Sequence, residues 1–151
     1  MDKLTNMSKI FKSTFATTQV DVVLLILRIG VATLMLTHGI PKLQMLFSGG
    51  EIQFPGVMGL SPTISLALAV FAEVICSVLL FIGLATRLSA VPLIITMLMA
   101  VFVIHGNDPF ANQELGLLYL FLYIPLLILG GGKFSVDSIL DSAKLPAPVR
   151  G

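Results

Sequence analysis

Apolar residues gather in four long runs separated by short polar stretches. They cover Val22–Ile40, Thr63–Ala85, Leu88–His105 and Leu115–Gly130. Each approaches or exceeds the ~17–20 residues that a helix needs to cross a bilayer. None alternates apolar and polar residues with period two, so a transmembrane β-barrel is not indicated. Helices also satisfy every backbone group within lipid, which open strands cannot. The pattern predicts spans at about 20–41, 62–85, 88–105 and 114–130. The first run ends in His38, Gly39, Pro41 and Lys42, where Pro41 should bend or end the helix. That run is too long and too interrupted for a cleaved signal sequence, so it reads as a retained helix.

Composition strengthens this picture. Hydrophobic residues make up 56% of the 151-residue chain and charged residues 11%, with a mean hydropathy of +1.01. Soluble domains carry about twice that share of charge. The length suits one domain, 1–151. A net charge of +1 and the lack of a basic patch with interleaved aromatics set nucleic acid aside as a partner. Lipid is the expected solvent, with a protein partner or further copies of the chain around it.

The charges order the topology. Lys3, Lys9 and Lys12 precede the first span, Arg87 links the second and third, and Lys133, Lys144 and Arg150 follow the fourth. The two long loops carry no Lys or Arg. The positive-inside rule then places both termini on the cytoplasmic side and both long loops outside in a multi-pass membrane protein. Residues 3–17 have apolar positions at helical spacing and suggest an amphipathic surface segment. Ser61-Pro62 reads as an N-cap followed by a proline at the first helical position. After Gly130-Gly131-Gly132, Ser135 and Asp137 are candidates to cap a short surface helix that begins near Val136. The tail 141–151 reads as disordered.

Polar residues inside the spans carry the candidate chemistry. Asp21, Arg28 and Lys42 recur at multiples of seven, which returns a helix to within ~20° of one face. Arg28 and Glu73 lie at similar reckoned depths, and either charge alone is costly in hydrocarbon. A buried Arg28–Glu73 ion pair is therefore expected, as a clasp between helices or as a titratable site. A stripe of small residues, including Ala69, Ala72 and Cys76, allows close helix approach beside it. Cys76 is the only cysteine, which excludes an internal disulfide relay. His38, Lys42, His105, Asp108 and Glu114 should share the outer side and form a shallow polar pocket. Tyr119 and Tyr123, one turn apart, are possible lining. His38 and His105 lack the clustering of a metal site, so interfacial hydrogen bonding is expected of them rather than haem or metal ligation. Pro125 should kink the fourth helix.

Several motifs recur together in order. They are Thr37-His38-Gly39…Lys42, Ala72-Glu73…Gly83-Leu84-Ala85-Thr86-Arg87, His105-Gly106-Asn107-Asp108-Pro109-Phe110 and Gly130-Gly131-Gly132-Lys133-Phe134-Ser135-Val136-Asp137. With Arg28 and the four spans, they resemble the DoxX family across roughly residues 20–140. The resemblance implies a small bacterial inner-membrane protein built as a four-helix bundle. It is related in name to DoxD, a subunit linked to thiosulfate:quinone oxidoreductase. Some members resemble parts of membrane redox or oxidative-stress complexes. The broader group includes membrane cargo receptors and assembly chaperones. No agreed catalytic residue carries over.

Three functions fit this reading. The favoured one is an accessory subunit of a quinone-linked redox or oxidative-stress complex, without activity of its own. Quinone suits the set of His, Glu, Arg and Tyr within membrane reach, and electrons would come from a partner. The alternatives are a non-catalytic scaffold or assembly factor and a small-solute transporter.

Overall fold

The computed structural model describes residues 17–144. It is all-helical among those residues: α1 Thr17–Phe47, α2 Pro62–Ile82, α3 Thr86–Ile104, α4 Phe110–Leu129 and α5 Val136–Lys144. The first four are long and apolar enough to cross a membrane. They run alternately up and down. α1 packs along the length of α2, α3 packs most extensively on α4, and α2 and α3 join the two pairs. α4 touches α1 more lightly and closes the bundle.

Apolar residues lie both inside and outside, as lipid requires. Leu24, Met35, Leu80, Leu93, Met97 and Leu126 fill the centre. Ile26, Phe102, Phe121 and Ile128 point away from it, each more than 60% exposed. Lipid is as apolar as a protein core, so burial does little to hold these helices together. Close packing and internal polar contacts do that instead. Gly39 shows the packing. A Cβ there would lie 2.9 Å from the Glu73 carbonyl oxygen on α2, so only glycine lets the two backbones approach.

The helix ends follow local chemistry. Ser61 Oγ accepts the amide of Ile64 at 3.3 Å with Pro62 in the first turn, as expected. α2 stops at Ile82, before the expected 85, because Gly83 turns left-handed at φ +74°. The amides of Gly83 and Leu84 return to the carbonyls of Leu80 and Leu79, a Schellman arrangement. α4 starts at Phe110, earlier than the expected 114, with Pro109 as its N-cap.

α1 departs most from expectation. It does not end at 41 but continues through Pro41 to Phe47. Proline removes only the bond to the Thr37 carbonyl, and the Lys42 side chain beyond it is anchored on α2. At 1.5 Å per residue its 31 residues span about 46 Å, more than the ~30 Å hydrocarbon layer. α4 likewise runs unbroken through Pro125.

α2 and α3 each contain a π-helical turn, at Phe71–Cys76 and Ala100–Ile104. The wider i→i+5 turn inserts a residue and re-aims its neighbours, and such turns concentrate at functional sites. Residues 141–143 of the expected disordered tail are helical, and Lys144 completes α5. The expected amphipathic segment before Thr17 and the rest of the tail lie outside the described residues.

Candidate functional site

Both π turns contribute residues to the same two cavities, Glu73 from the first and Ala100 from the second. The first carries Glu73, which is 1% exposed. Its Oε1 accepts from the Lys42 ammonium of α1, an ion pair whose lysine end is partly open. Its Oε2 has no hydrogen-bond partner among the described residues. A carboxylate this deep costs several kcal/mol unless fully satisfied, and here one oxygen is left over. The Tyr123 hydroxyl and Ser77 Oγ are also buried without a partner among the described residues. Ser77 stands one turn beyond Glu73. Tyr123 stacks on Tyr119 at 5.9 Å between centroids, and Tyr119 meets the His38 ring edge-on at 6.0 Å.

Two cavities border this centre. The smaller, about 180 Å³, is lined by His38, Lys42, Glu73, His105, Asn112 and Tyr119 among others. The larger, about 430 Å³, shares Lys42, Glu73, Ala100 and His105 with it and is otherwise mostly apolar. The second π turn delivers His105 to their common wall. His105 Nδ1 lies 2.7 Å from Asp108 Oδ2, and Gln113 Nε2 donates to the His105 carbonyl at 2.8 Å. Hydrogen bonds from His105 and then Asn112 hold the exposed Asp108 carboxyl below its usual range.

The expected outer pocket is therefore assembled in part. His38, Lys42 and His105 line the small cavity together with Tyr119. Asp108 sits behind His105 and orients it. Glu114 is exposed and lines neither cavity. Tyr123 is core, with its hydroxyl turned inward. Asn112, Thr96 and Ala100 also line the cavities, although their residue types alone did not mark them out. Among the described residues no group of three or more His, Cys, Asp or Glu is placed to hold a metal.

The expected Arg28–Glu73 pair is not formed. Arg28 is buried at the opposite end of the bundle. Its Nη1 donates to the Gly131 carbonyl at 2.8 Å and its Nη2 to the Phe134 carbonyl at 2.7 Å. The reason is register. α1 and α2 pack with Gly39 against Glu73 and Arg28 against Gly83. Eleven residues of α1 separate those two levels, about 16 Å at 1.5 Å per residue, beyond an arginine's reach. The polar face of α1 does turn inward as expected, but each member meets a different partner. Asp21 Oδ1 accepts the Lys133 amide at 2.9 Å, Arg28 clamps the glycine-rich turn, and Lys42 pairs with Glu73.

Asp137 completes the Arg28 end. Ser135 Oγ caps α5 as expected, accepting the Ser138 amide at 3.2 Å. Asp137 instead accepts the amides of Ala85 and Thr86 at 2.7 and 2.9 Å and so caps α3. Desolvation works to raise its carboxyl, but those amides and the Arg28 charge outweigh it and hold it below the usual range.

Comparison with known proteins agrees with this architecture. The family model described as DoxX matches residues 23–106, which contain Arg28, Lys42, Glu73 and His105. A Bacillus subtilis (strain 168) protein named "Putative oxidoreductase CatD" is 32% identical over 121 residues, covering 80% of this chain and 88% of that protein. A Haemophilus influenzae (strain ATCC 51907 / DSM 11121 / KW20 / Rd) protein named "Uncharacterized protein" is 35% identical over 119 residues, covering 74% of this chain and 86% of the relative. No solved structure gives a significant match. The matched segment, four candidate spans and the relatives' near-complete overlap lead to one conclusion: the chain belongs to the DoxX family of membrane proteins.

Proposed function

We propose that this chain is a subunit of a quinone-linked redox complex in the cytoplasmic membrane, and that Lys42 and Glu73 exchange protons with the quinone head group. One observation carries the reading. Glu73 is buried and ion-paired through one oxygen, while its second oxygen is unpartnered beside two cavities. Leaving a buried carboxylate oxygen unpaired is costly, and this one belongs to a residue that lines both cavities, where a ligand can supply the missing partner. The oxidoreductase-type name of the Bacillus relative points the same way.

The residues fit the group. A cavity of about 430 Å³ falls within the 300–1,000 Å³ of ordinary small-molecule sites. Its ionisable groups, Lys42, Glu73 and His105, all lie on the wall it shares with the smaller cavity, where a quinone carbonyl needs a donor and its quinol hydroxyl an acceptor. Lys42 supplies a donor, Glu73 Oε2 an acceptor, and His105 either. Quinone reduction consumes two electrons and two protons, the electrons coming from a redox centre on a partner protein. The Lys42 ammonium supplies one of these protons, the Glu73 carboxylate relays the second from water, and the partly open Lys42 side connects both with solvent. The lysines flanking the first and fourth spans favour both termini in the cytoplasm, which puts this site toward the outer face.

The test is direct binding. Protein in lipid nanodiscs is titrated with a decyl-tailed benzoquinone, and Glu73→Gln should weaken binding by about tenfold or more. Absence of binding by the wild type would sink the proposal. Crosslinking in native membranes then identifies the electron-donating partner.

A further inference from the structure

The two cavities differ in character, and their difference specifies the shape of a ligand. The smaller one is bounded by His38, Lys42, Glu73, His105, Asn112 and Tyr119, so it offers hydrogen-bonding groups on several sides. The larger one runs from the shared wall of Lys42, Glu73, Ala100 and His105 into apolar surroundings. Leu68 and Phe54 line it, with Val57, Met58, Ile95 and Met99. Leu68 on α2 and Ile95 on α3 are each 54% exposed, so they also belong to the outer, lipid-facing surface.

Part of this chamber is built by a loop rather than by helices. The segment between α1 and α2 folds back over it. Within the segment the Leu60 amide donates to the Val57 carbonyl at 3.0 Å. Both central residues of that turn, Met58 and Gly59, have positive φ, at 53° and 80°. That is the signature of a type I′ turn. The conformation is uncommon for a methionine and marks a segment held by its surroundings. The holding contact is the Val57 amide, which donates at 3.0 Å to Oγ of the buried Ser65 on α2. The turn thus forms a fixed apolar wall over an otherwise open cleft.

We infer that the site is bipartite: the small cavity takes a compact polar head, and the apolar chamber under Phe54–Leu60 takes the hydrocarbon tail of the same molecule. The ligand class is a membrane-resident amphiphile, reached sideways between α2 and α3, rather than a water-soluble quinone. This inference rests on the quinone reading above for the identity of the head. The tail assignment stands on the two cavities adjoining at the same four residues, Lys42, Glu73, Ala100 and His105. The alternative home of the tail is lipid, so its preference for the chamber comes from packing rather than from escape from water. Tail selectivity is therefore moderate in size.

The experiment compares two benzoquinones with the same ring, one decyl-tailed and one methyl-substituted, in nanodiscs. Affinities are expressed per mole fraction of ligand in the bilayer, which removes simple partitioning. The wild type should bind the decyl form about tenfold more tightly. Ala69→Phe fills the chamber from α2 and should abolish that preference without weakening the short ring. Ile95→Trp narrows the chamber from its lipid-facing lip, where a bulky side chain is tolerated, and repeats the test should Ala69→Phe fold poorly. If both rings bind alike to the wild type, or the preference survives filling in the folded variants, the tail chamber is wrong while the quinone reading stands. If neither ring binds the wild type, the quinone reading falls and takes the bipartite site with it.

Discussion

Two charged residues are buried among the described residues, and they are satisfied to different degrees. Arg28 at one end has two backbone carbonyls at 2.7–2.8 Å and Gly83 packed against it, with its Nε left without a partner among the described residues. Glu73, toward the other end, has one ion-pair partner, one unpartnered oxygen and two cavities beside it. A cavity of about 920 Å³ adjoins Thr86, Gly131, Ser135 and Asp137, but Arg28 itself does not line it, whereas Glu73 lines two; in that sense the Arg28 contact is closed and the Glu73 contact open. In a membrane, where hydrophobic burial adds little between helices, a closed polar contact holds the bundle together. An open one is retained at a cost in stability, which is the ground for the ligand proposed there.

The largest effect should come from breaking the closed end. Arg28→Ala leaves the Gly131 and Phe134 carbonyls without their donor, and each buried unpaired group costs about 1–3 kcal/mol. The expected loss is about 3–5 kcal/mol, comparable to breaking a buried ion pair. Arg28→Lys should recover less than half, because a point-like ammonium does not reproduce the fork that bridges two carbonyls. Cys76 provides a built-in reporter. It is buried and is the only thiol in the chain, so a thiol-reactive dye reads its exposure on heating. An unfolding temperature for Arg28→Ala equal to that of the wild type would remove the structural assignment of this end.

The open end should respond in the reverse sense. Glu73→Gln removes a charge that is only half paired, and Lys42 is exposed enough to be rehydrated. Stability should fall by only about 1–2 kcal/mol while binding of the decyl benzoquinone falls by about tenfold or more. Lys42→Met should be more damaging to stability, since it leaves the fully buried member of the pair alone. The same dye assay run beside quinone titrations separates the two. Glu73→Gln destabilising as much as Arg28→Ala would make the two ends equivalent and undo the comparison.

How much of this was legible in the sequence differs between the two ends. The four spans were, because lipid imposes long uninterrupted apolar runs. The inward turn of Arg28 and Lys42 was also legible, because seven-residue spacing keeps one face. Their partners were not. The Arg28–Glu73 pairing assumed that the centres of two apolar runs lie at one depth. The actual register is set by Gly39 against Glu73 and Gly83 against Arg28, contacts that hydropathy does not encode. The overhang of α1 past Pro41 hid the same shift, since it carries Lys42 up to Glu73 within a helix expected to end. The π turns carry no periodic signature of their own, so the aim of Glu73 and His105 toward a common wall emerged only in three dimensions. Asp137 lay in a recognisable capping context, but the helix whose amides it takes begins about fifty residues earlier.

A smaller effect distinguishes the ends through pH. The Asp137 carboxyl is held below its ordinary value in the folded protein. A depressed carboxyl contributes stability above its unfolded value of about 3.9 and loses it as pH falls through the folded value. At pH 7, Asp137→Asn should cost about 1 kcal/mol, the usual size of a capping contribution. The pH-dependent part of that difference should close between about pH 4 and the lower folded value. Unfolding temperatures of wild type and variant, followed from pH 7 to pH 3, show whether the curves converge. Parallel curves throughout would mean that the charge of Asp137 does not support the Arg28 end.

The smallest effect is expected at Asp108, the counterpart of Asp137 at the open end. Its carboxyl is also held low, by His105 and Asn112, but it is exposed and caps no helix. Exposed polar contacts of this kind contribute little to stability because water competes for both members. Asp108→Asn should therefore leave unfolding within experimental error at every pH where the protein is folded. Its role is to orient the His105 ring, whose other face looks into the shared cavity wall. Loss of that contact should weaken quinone binding by no more than about threefold, a change on the scale of one surface ion pair. The variant should also make the ring position of His105 visibly less ordered by NMR of the imidazole. If Asp108→Asn destabilised the protein as Asp137→Asn does, both ends would hold the fold through their carboxylates. The open end would then have to be assigned a structural role alongside its binding one.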